Sequence, residues 1–358
     1  MKINLLFLQA FIAGIFACSL FAETPQKPGE ARYQVIDLGP LPALADDVSA
    51  SISDSGVITA WTMNSSGSVE AVVGTPNNFK NIGMLPGDSS NISHALNNHG
   101  QVVGWSVAGK NLVDNLVAKR AFLYSDNRLV FLGNFGGRDS QALAINNKSE
   151  IVGTASLPDK SKHAFLYTKN KLQDLGTLPG GTYSIASAIN DSQVIAGAAT
   201  TPDFFIHAVM WKHEKLTDIG TLPEGKRSRA TAINSSGNIV GFSEVRSGEI
   251  HAFLYRDGMM KDLGGMSGGP VQANSINDRN QIVGRFSVDD RPHAFLWEDE
   301  VLTDLNQLIS SDDKWLINEA YSINNHGQIV GYGSQAGKSG RRLLLLNPIE
   351  DGSPKQKH

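Results

Sequence analysis

The 358-residue chain carries 31 Lys and Arg against 35 Asp and Glu, a formal net charge of −4. No run of cations is long enough to track a phosphate backbone, which argues against a nucleic-acid partner. Its single cysteine, Cys18, rules out an internal disulfide, so stability has to come from burial, and 41% hydrophobic residues supply the material.

Residues 1–22 read as a signal peptide: Lys2 gives the positive start, Leu5 to Ile15 the apolar run, and Ala22 the small residue before polar Glu23. The run is too short for a comfortable membrane span, and no later stretch reaches that length, so no transmembrane helix is expected in the mature chain. Export is the expectation, whether to the periplasm, the outer surface or the medium. A second reading stays open. Ile15-Phe16-Ala17-Cys18 resembles a bacterial lipoprotein signal, which would leave a lipid-anchored Cys18 as the first residue. A short linker over 23–32 follows.

From Tyr33 to Pro348 one phrase is written seven times at a period of roughly 44 residues. It runs Asp-Leu-Gly-Thr-Leu, a Gly-rich loop, Ser-x-Ala-Ile-Asn, Gly-Gln-Ile-Val-Gly, a linker, then His-Ala-Phe-Leu-Tyr/Trp. In the fourth copy Tyr183 to Asn190 reads as a strand, Asn190-Asp191-Ser192-Gln193 as a tight turn, and Val194 to Gly197 as a second strand. His207 to Trp211 is the third strand and Leu216 to Leu222 the fourth. The glycine closing the second strand points to a bulge or a close backbone approach. Helical periodicity is absent.

Four antiparallel strands per repeat make one propeller blade. The ends of the array argue for a ring. Tyr33 to Leu38 is a fourth strand with no preceding three, and Arg342 to Leu346 a third strand with no fourth. Joining them completes a seventh blade. The fold expected over 33–348 is therefore all-β: a seven-bladed β-propeller closed by its N-terminal strand, with a polar, disordered tail over 349–358. A β-solenoid is the alternative, and it would need capping segments that the sequence does not show.

The words His163-Ala164-Phe165, His251-Ala252-Phe253 and His293-Ala294-Phe295, with the Asp-Leu-Gly-Thr-Leu and Ala-Ile-Asn-x-x-Gly-x-Ile-Val-Gly words, resemble the HAF family of extracellular repeat proteins. The resemblance covers about Tyr33 to Leu346. Copies one, two and seven depart from it, with Glu70-Ala71-Val72, Arg120-Ala121-Phe122 and Arg342-Leu343-Leu344 in that frame. It implies an exported bacterial repeat protein and brings no catalytic residues.

The four repeated histidines invite a metal reading, but each has an aspartate eleven residues later: His163 with Asp174, His207 with Asp218, His251 with Asp262, and His293 with Asp304. Copies one and two lack both the histidine and the aspartate, showing Glu70 with Asn81 and Arg120 with Phe131. In the closing blade Arg342 would meet Asp37. An odd spacing across a hairpin puts the two side chains roughly opposite and facing the same way, so the pairs read as structural staples between third and fourth strands. No metal or other cofactor is expected. The Asn/Asp-rich turns lack the spaced carboxylates of an EF-hand, and the Gly-rich loops lack the lysine and helix of a phosphate-binding loop.

The copies disagree most in those Gly-rich loops, at Arg138, Asp139, Tyr183, Arg227, Arg229, Asp312 and Trp315. Variable polar and aromatic residues on loops held by a rigid scaffold are where binding resides. No catalytic residue is marked. The reading is an exported binding or scaffold module for a glycan, a protein or a cell-envelope component. The alternative is a polysaccharide-active hydrolase or lyase in the central channel, which would need carboxylates such as Asp47, Asp88, Asp139, Glu224 or Asp312 to converge.

Overall fold

A computed structural model describes residues 31–41, 49–107, 118–265 and 269–349. The leader with Cys18, Asp47, and the tail from residue 350 lie outside them. The described chain is a seven-bladed β-propeller of four-stranded antiparallel sheets. Blades 1 to 6 span 51–81, 90–131, 140–174, 184–220, 228–262 and 272–304. Blade 7 takes three strands from 315–348 and its outermost from Tyr33–Pro40.

Blade 3 shows why the phrase folds this way. The inner strand is Ser140–Ile145, and Asn146 ends it. The Asn146 side-chain carbonyl accepts the amides of Lys148 at 3.0 Å and Glu150 at 2.9 Å, folding a turn that brings in the second strand, Ile151–Ser156. The third strand, Lys162–Thr168, reaches the outer strand, Lys171–Asp174, through Lys169 and Asn170 at φ 50° and 60°. Two successive left-handed residues make the turn whose twist matches a hairpin.

The repeated glycine answers to a bulge. The inner strand of blade 3 slips register between Ala142 and Ala144, which pushes its backbone toward the second strand. A Cβ at Gly153 would lie 1.9 Å from the carbonyl oxygen of Gln141. Blade 1 carries Ala60 there and can do so, because its inner strand is only Ser51–Ile52 and runs without a slip.

The apolar core is distributed between the blades. Each cluster joins the outer-facing side of one sheet to the inner strands of the next, as where Val152, Ala164 and Leu166 of blade 3 meet Ala186 and Ile189 of blade 4. Phe165, Phe253 and Phe295 of the His-Ala-Phe words are fully buried. A polar bolt joins the same layers. Ser184 of blade 4 accepts the Ala164 amide at 2.8 Å and donates to the Gly176 carbonyl at 2.6 Å. Ser228 repeats this with Ala208 at 2.8 Å and Gly220 at 2.5 Å.

The ring closes in two places. Tyr33–Pro40 pairs antiparallel with Arg342–Pro348, setting Val35 opposite Leu346. At the channel, Asn324 Nδ2 of blade 7 donates to Ser53 O of blade 1 at 2.9 Å. A closed ring has no long unpaired edge, which disposes of the solenoid.

Candidate functional site

Alternating strand direction sorts the loops onto two faces. On one lie the Asn turns and the third-to-outer hairpins. There the asparagines bond blade to blade: Asn97 Nδ2 to Asn146 O at 3.0 Å, Asn146 to Asn190 O at 3.1 Å, and Asn190 to Asn234 O at 3.0 Å. A second tier at the next residue includes Asp278, which accepts the Ser235 amide at 2.9 Å. Burial works to raise the Asp278 pKa, but the hydrogen bonds from Ser235 and Asn325 outweigh it and hold the carboxyl below its ordinary value. The amide capacity of this mouth is largely consumed in closing the ring.

The histidines are consumed as well. Nδ1 of His163, His207 and His251 lies 2.9 Å from Asp174, Asp218 and Asp262, and that of His293 lies 2.8 Å from Asp304. Each aspartate also accepts the amide two residues on, as Asp174 does from Gly176 at 2.7 Å. The rough opposition expected takes the form of a diagonal pair: Asp174 faces Phe165, two residues beyond His163. The remaining blades couple the same two positions by other chemistry. Asn81 donates to Glu70, Arg120 stands 5.9 Å from the Phe131 ring, and Arg342 binds Asp37 at 2.7 Å. His207→Ala and Asp218→Ala are expected to couple by about 1 kcal/mol in a stability cycle. Additive effects in urea melts would remove the pairing from the account.

The opposite face carries the outer-to-inner connections and the second-to-third hairpins. A cavity of about 920 Å³ opens there between blades 2 and 3. Lys119 of blade 2, the connection through Arg138 and Asp139, and the blade 3 hairpin from Ser156 to Lys162 wall it. The wall is tight because Gly137 lies against the hairpin; a Cβ there would sit 2.3 Å from Ser156 O.

Arg138 Nε lies 3.2 Å from Asp139, whose Oδ1 also accepts the Lys119 amide at 3.1 Å. Lys119 Nζ stands 4.3 Å from the Trp105 ring centroid. Lys160 and Lys162 are exposed, and among the described residues neither makes an ion pair. Nearby Asp159 is tied to Ser161, whose hydrogen bonds keep its carboxyl below the ordinary range.

A strip continues from this cavity. Lys162 bridges to Tyr183, Tyr183 O accepts the Thr200 amide at 2.9 Å, and Pro202 packs under Gly180. Past Pro202, Phe204 stands 79% exposed at the hairpin tip. Its neighbour Phe205 lies 5.8 Å from both Lys226 and Arg227.

Of the residues marked in the sequence, Arg138 and Asp139 line the cavity and Tyr183 adjoins it. Arg227 sits on the strip and pairs with Glu244 at 3.2 Å. Arg229 belongs to the inner strand of blade 5, opposite Phe242. Asp312 is on the connection from blade 6 to blade 7 and Trp315 opens blade 7, two blades round the ring from blade 2, where Trp315 is half-buried against the core between blades 6 and 7. Lys119, Lys160 and Lys162 were missed.

Three of the marked carboxylates are taken up in ion pairs. Asp88 pairs with Arg120 at 2.8 Å, Glu224 with Arg246 at 3.0 Å, and Asp139 with Arg138. Among the described residues no three His, Cys, Asp or Glu side chains converge as metal ligands. One largely covered carboxyl escaped the sequence reading. Glu319, between the inner strands of blades 6 and 7, accepts from Asn274 at 2.9 Å and lies 3.5 Å from Arg285. Burial raises its pKa more than Arg285 and Asn274 lower it.

No protein-family model matches the chain, and no curated protein matches it. Solved structures resemble it in fold. An oligogalacturonate lyase in complex with manganese is 10% identical with a TM-score of 0.54, covering 90% of this chain and 99% of that one. A puromycin-hydrolysing peptidase of Mycobacterium tuberculosis is 9% identical at a TM-score of 0.54, covering 93% of this chain. The chain spans 56% of that peptidase's length, and 52% of the acylaminoacyl peptidase of Pyrococcus horikoshii. YCF48 bound to D1 peptide is 11% identical at a TM-score of 0.50, covering 92% of this chain and 98% of that one. At these identities the likeness is one of β-propeller architecture.

Proposed function

We propose that this chain is an exported, HAF-type β-propeller acting as a non-enzymatic binding or scaffold module for a glycan, protein or envelope component. The observation that carries the reading is the cavity of about 920 Å³ on the connection face. Loops in which the repeats disagree build it, while the repeated words are spent on holding blades together. Peptide and saccharide ligands named for two fold neighbours, YCF48 and the oligogalacturonate lyase, are in keeping with such a role. The leader over 1–22 carries the export part, with lipidation of Cys18 as its alternative form.

The chain from Glu23 onward, screened against glycans, peptides and envelope fractions, is expected to retain a ligand and lose it on Arg138→Ala with Lys162→Ala. Retention that no substitution on this face disturbs would overturn the reading. Intact mass of the exported protein separates cleavage before Glu23 from a lipidated Cys18. A hydrolase or lyase reading draws on one observation, the largely covered Glu319 between two inner strands, with its raised pKa. Turnover of an oligosaccharide that disappears in Glu319→Gln would establish it.

A further inference from the structure

The hairpin from second to third strand has the same turn in four blades. Its fourth residue donates its amide to the carbonyl of the first: Gly67 to Asn64, Lys160 to Leu157, Phe204 to Thr201, and Gly248 to Val245. That residue is left-handed throughout, with φ 79°, 73°, 62° and 83°. Blades 1 and 5 place glycine there, for which the conformation is free of strain. Blades 3 and 4 place a lysine and a phenylalanine, for which it is not. The two strained side chains stand on neighbouring blades at the two ends of the strip from the cavity to Phe204. Strain kept in a slot where glycine fits marks a side chain retained for another reason.

Charge says what Lys160 is retained for. Among the described residues, four cations, Lys119, Arg138, Lys160 and Lys162, line the cavity against one carboxylate, Asp139, which is already held by Arg138 and the Lys119 amide. The cavity therefore favours an anion, at Lys160 and Lys162 above all. The rest of its wall describes the kind of anion. Among the described residues its apolar side chains are Leu157 and Pro158, which form no set of side-chain pockets such as a peptide needs. The amides of Gly136 and Gly137 are already given to Asn134 Oδ1 and Ser156 O, which leaves their carbonyls and the Ser156 hydroxyl as the hydrogen-bonding groups a polyol uses. Tyr183 and Phe204 continue the track with aromatic faces.

We infer that the cavity and strip bind an acidic oligosaccharide, its uronate carboxylates held by Lys160 and Lys162 and its sugar rings laid along Tyr183 and Phe204. This rests on the binding-module reading and names its ligand class. The cavity, at about 920 Å³, has room for more than one sugar ring, near the upper end of the roughly 300–1,000 Å³ of ordinary ligand pockets.

The test is calorimetry of the chain from Glu23 onward with three probes: trigalacturonate, its methyl ester, and polyglutamate. Trigalacturonate is expected to bind, about tenfold tighter than the ester, and to weaken as salt rises to about 0.5 M. Lys160→Gly is the decisive variant, because it removes the cation and the strain together. It should raise Tm by about 2 °C while weakening trigalacturonate binding about tenfold. Lys162→Gln should weaken binding without that gain, and Lys215→Gln on the opposite face should change nothing. Equal binding of the ester, or tighter binding of polyglutamate, overturns the inference, as does failure to bind trigalacturonate. If the broader screen still retains another ligand on this face, the binding-module reading survives those failures.

Discussion

Deleting Tyr33–Pro40 is expected to abolish cooperative unfolding, although the strand is a small part of the chain. The strand supplies the outermost position of blade 7, paired along its length with Arg342–Pro348. Without it Leu344 and Leu346, both fully buried, lose their cover, and blade 7 offers an open edge beside the seam with blade 1. Tyr33 is itself 3% exposed, packed with Leu305, Ile309 and Leu346, and burial pushes its phenol pKa up to about 12. Tyr33→Ala alone should cost about 3–5 kcal/mol, as for other large aromatic truncations. A circular permutant carrying Tyr33–Pro40 after Pro348 should keep a single sharp thermal transition. If the deletion variant melts as sharply as the intact chain, the closure carries none of the stability assigned to it.

The same seam predicts an acid response. Burial raises the Asp37 pKa, but the Arg342 hydrogen bond, the Gly39 amide and nearby Lys338 together bring it below its ordinary 3.8. A carboxyl depressed in the folded state contributes stability that is complete above the unfolded value. That contribution is lost as pH falls through the lower folded value. Asp37→Asn should therefore flatten the fall in Tm below about pH 4.

Repetition made the blades legible, and the unmatched ends made the closure legible. Tyr33 to Leu38 and Arg342 to Leu346 each lacked the partner the other supplied. The His–Asp pairing was visible through its spacing and its joint absence from two copies. Its diagonal geometry was not, because register depends on the hairpin: the two-residue turn at Lys169 and Asn170 sets Thr168 opposite Lys171, which leaves Asp174 facing Phe165. Ser184 read as a small strand residue, yet with its counterpart Ser228 it bolts one sheet to the next, a contact between layers that no strand pattern encodes. The cavity cations come from three segments with no common spacing. One signal for Lys160 was present all along, since it occupies the turn slot that blades 1 and 5 fill with Gly67 and Gly248.

The second large effect is expected from the smallest change, Gly197→Ala in the second strand of blade 4. A Cβ there would lie 1.9 Å from the Ile185 carbonyl oxygen and 3.0 Å from Ala186 Cα. Both are backbone atoms of the inner strand, so no side chain can rotate away. Relief requires undoing the register slip between Ala186 and Ala188. That slip sets where Ile189 and Asn190 fall, and Asn190 Nδ2 holds Asn234 O at 3.0 Å in the ring at the channel mouth. One methyl group therefore strains a hairpin and loosens an inter-blade bond, with an expected cost of about 3 kcal/mol, at the top of the range for overpacking. Ala60→Gly is the reciprocal variant. Blade 1 has no slip at that site, so only the added chain entropy of glycine and the loss of one buried methyl should appear, about 1–2 kcal/mol. Urea melts of the two variants decide the matter. If Gly197→Ala costs no more than Ala60→Gly, the glycine answers to something other than the bulge.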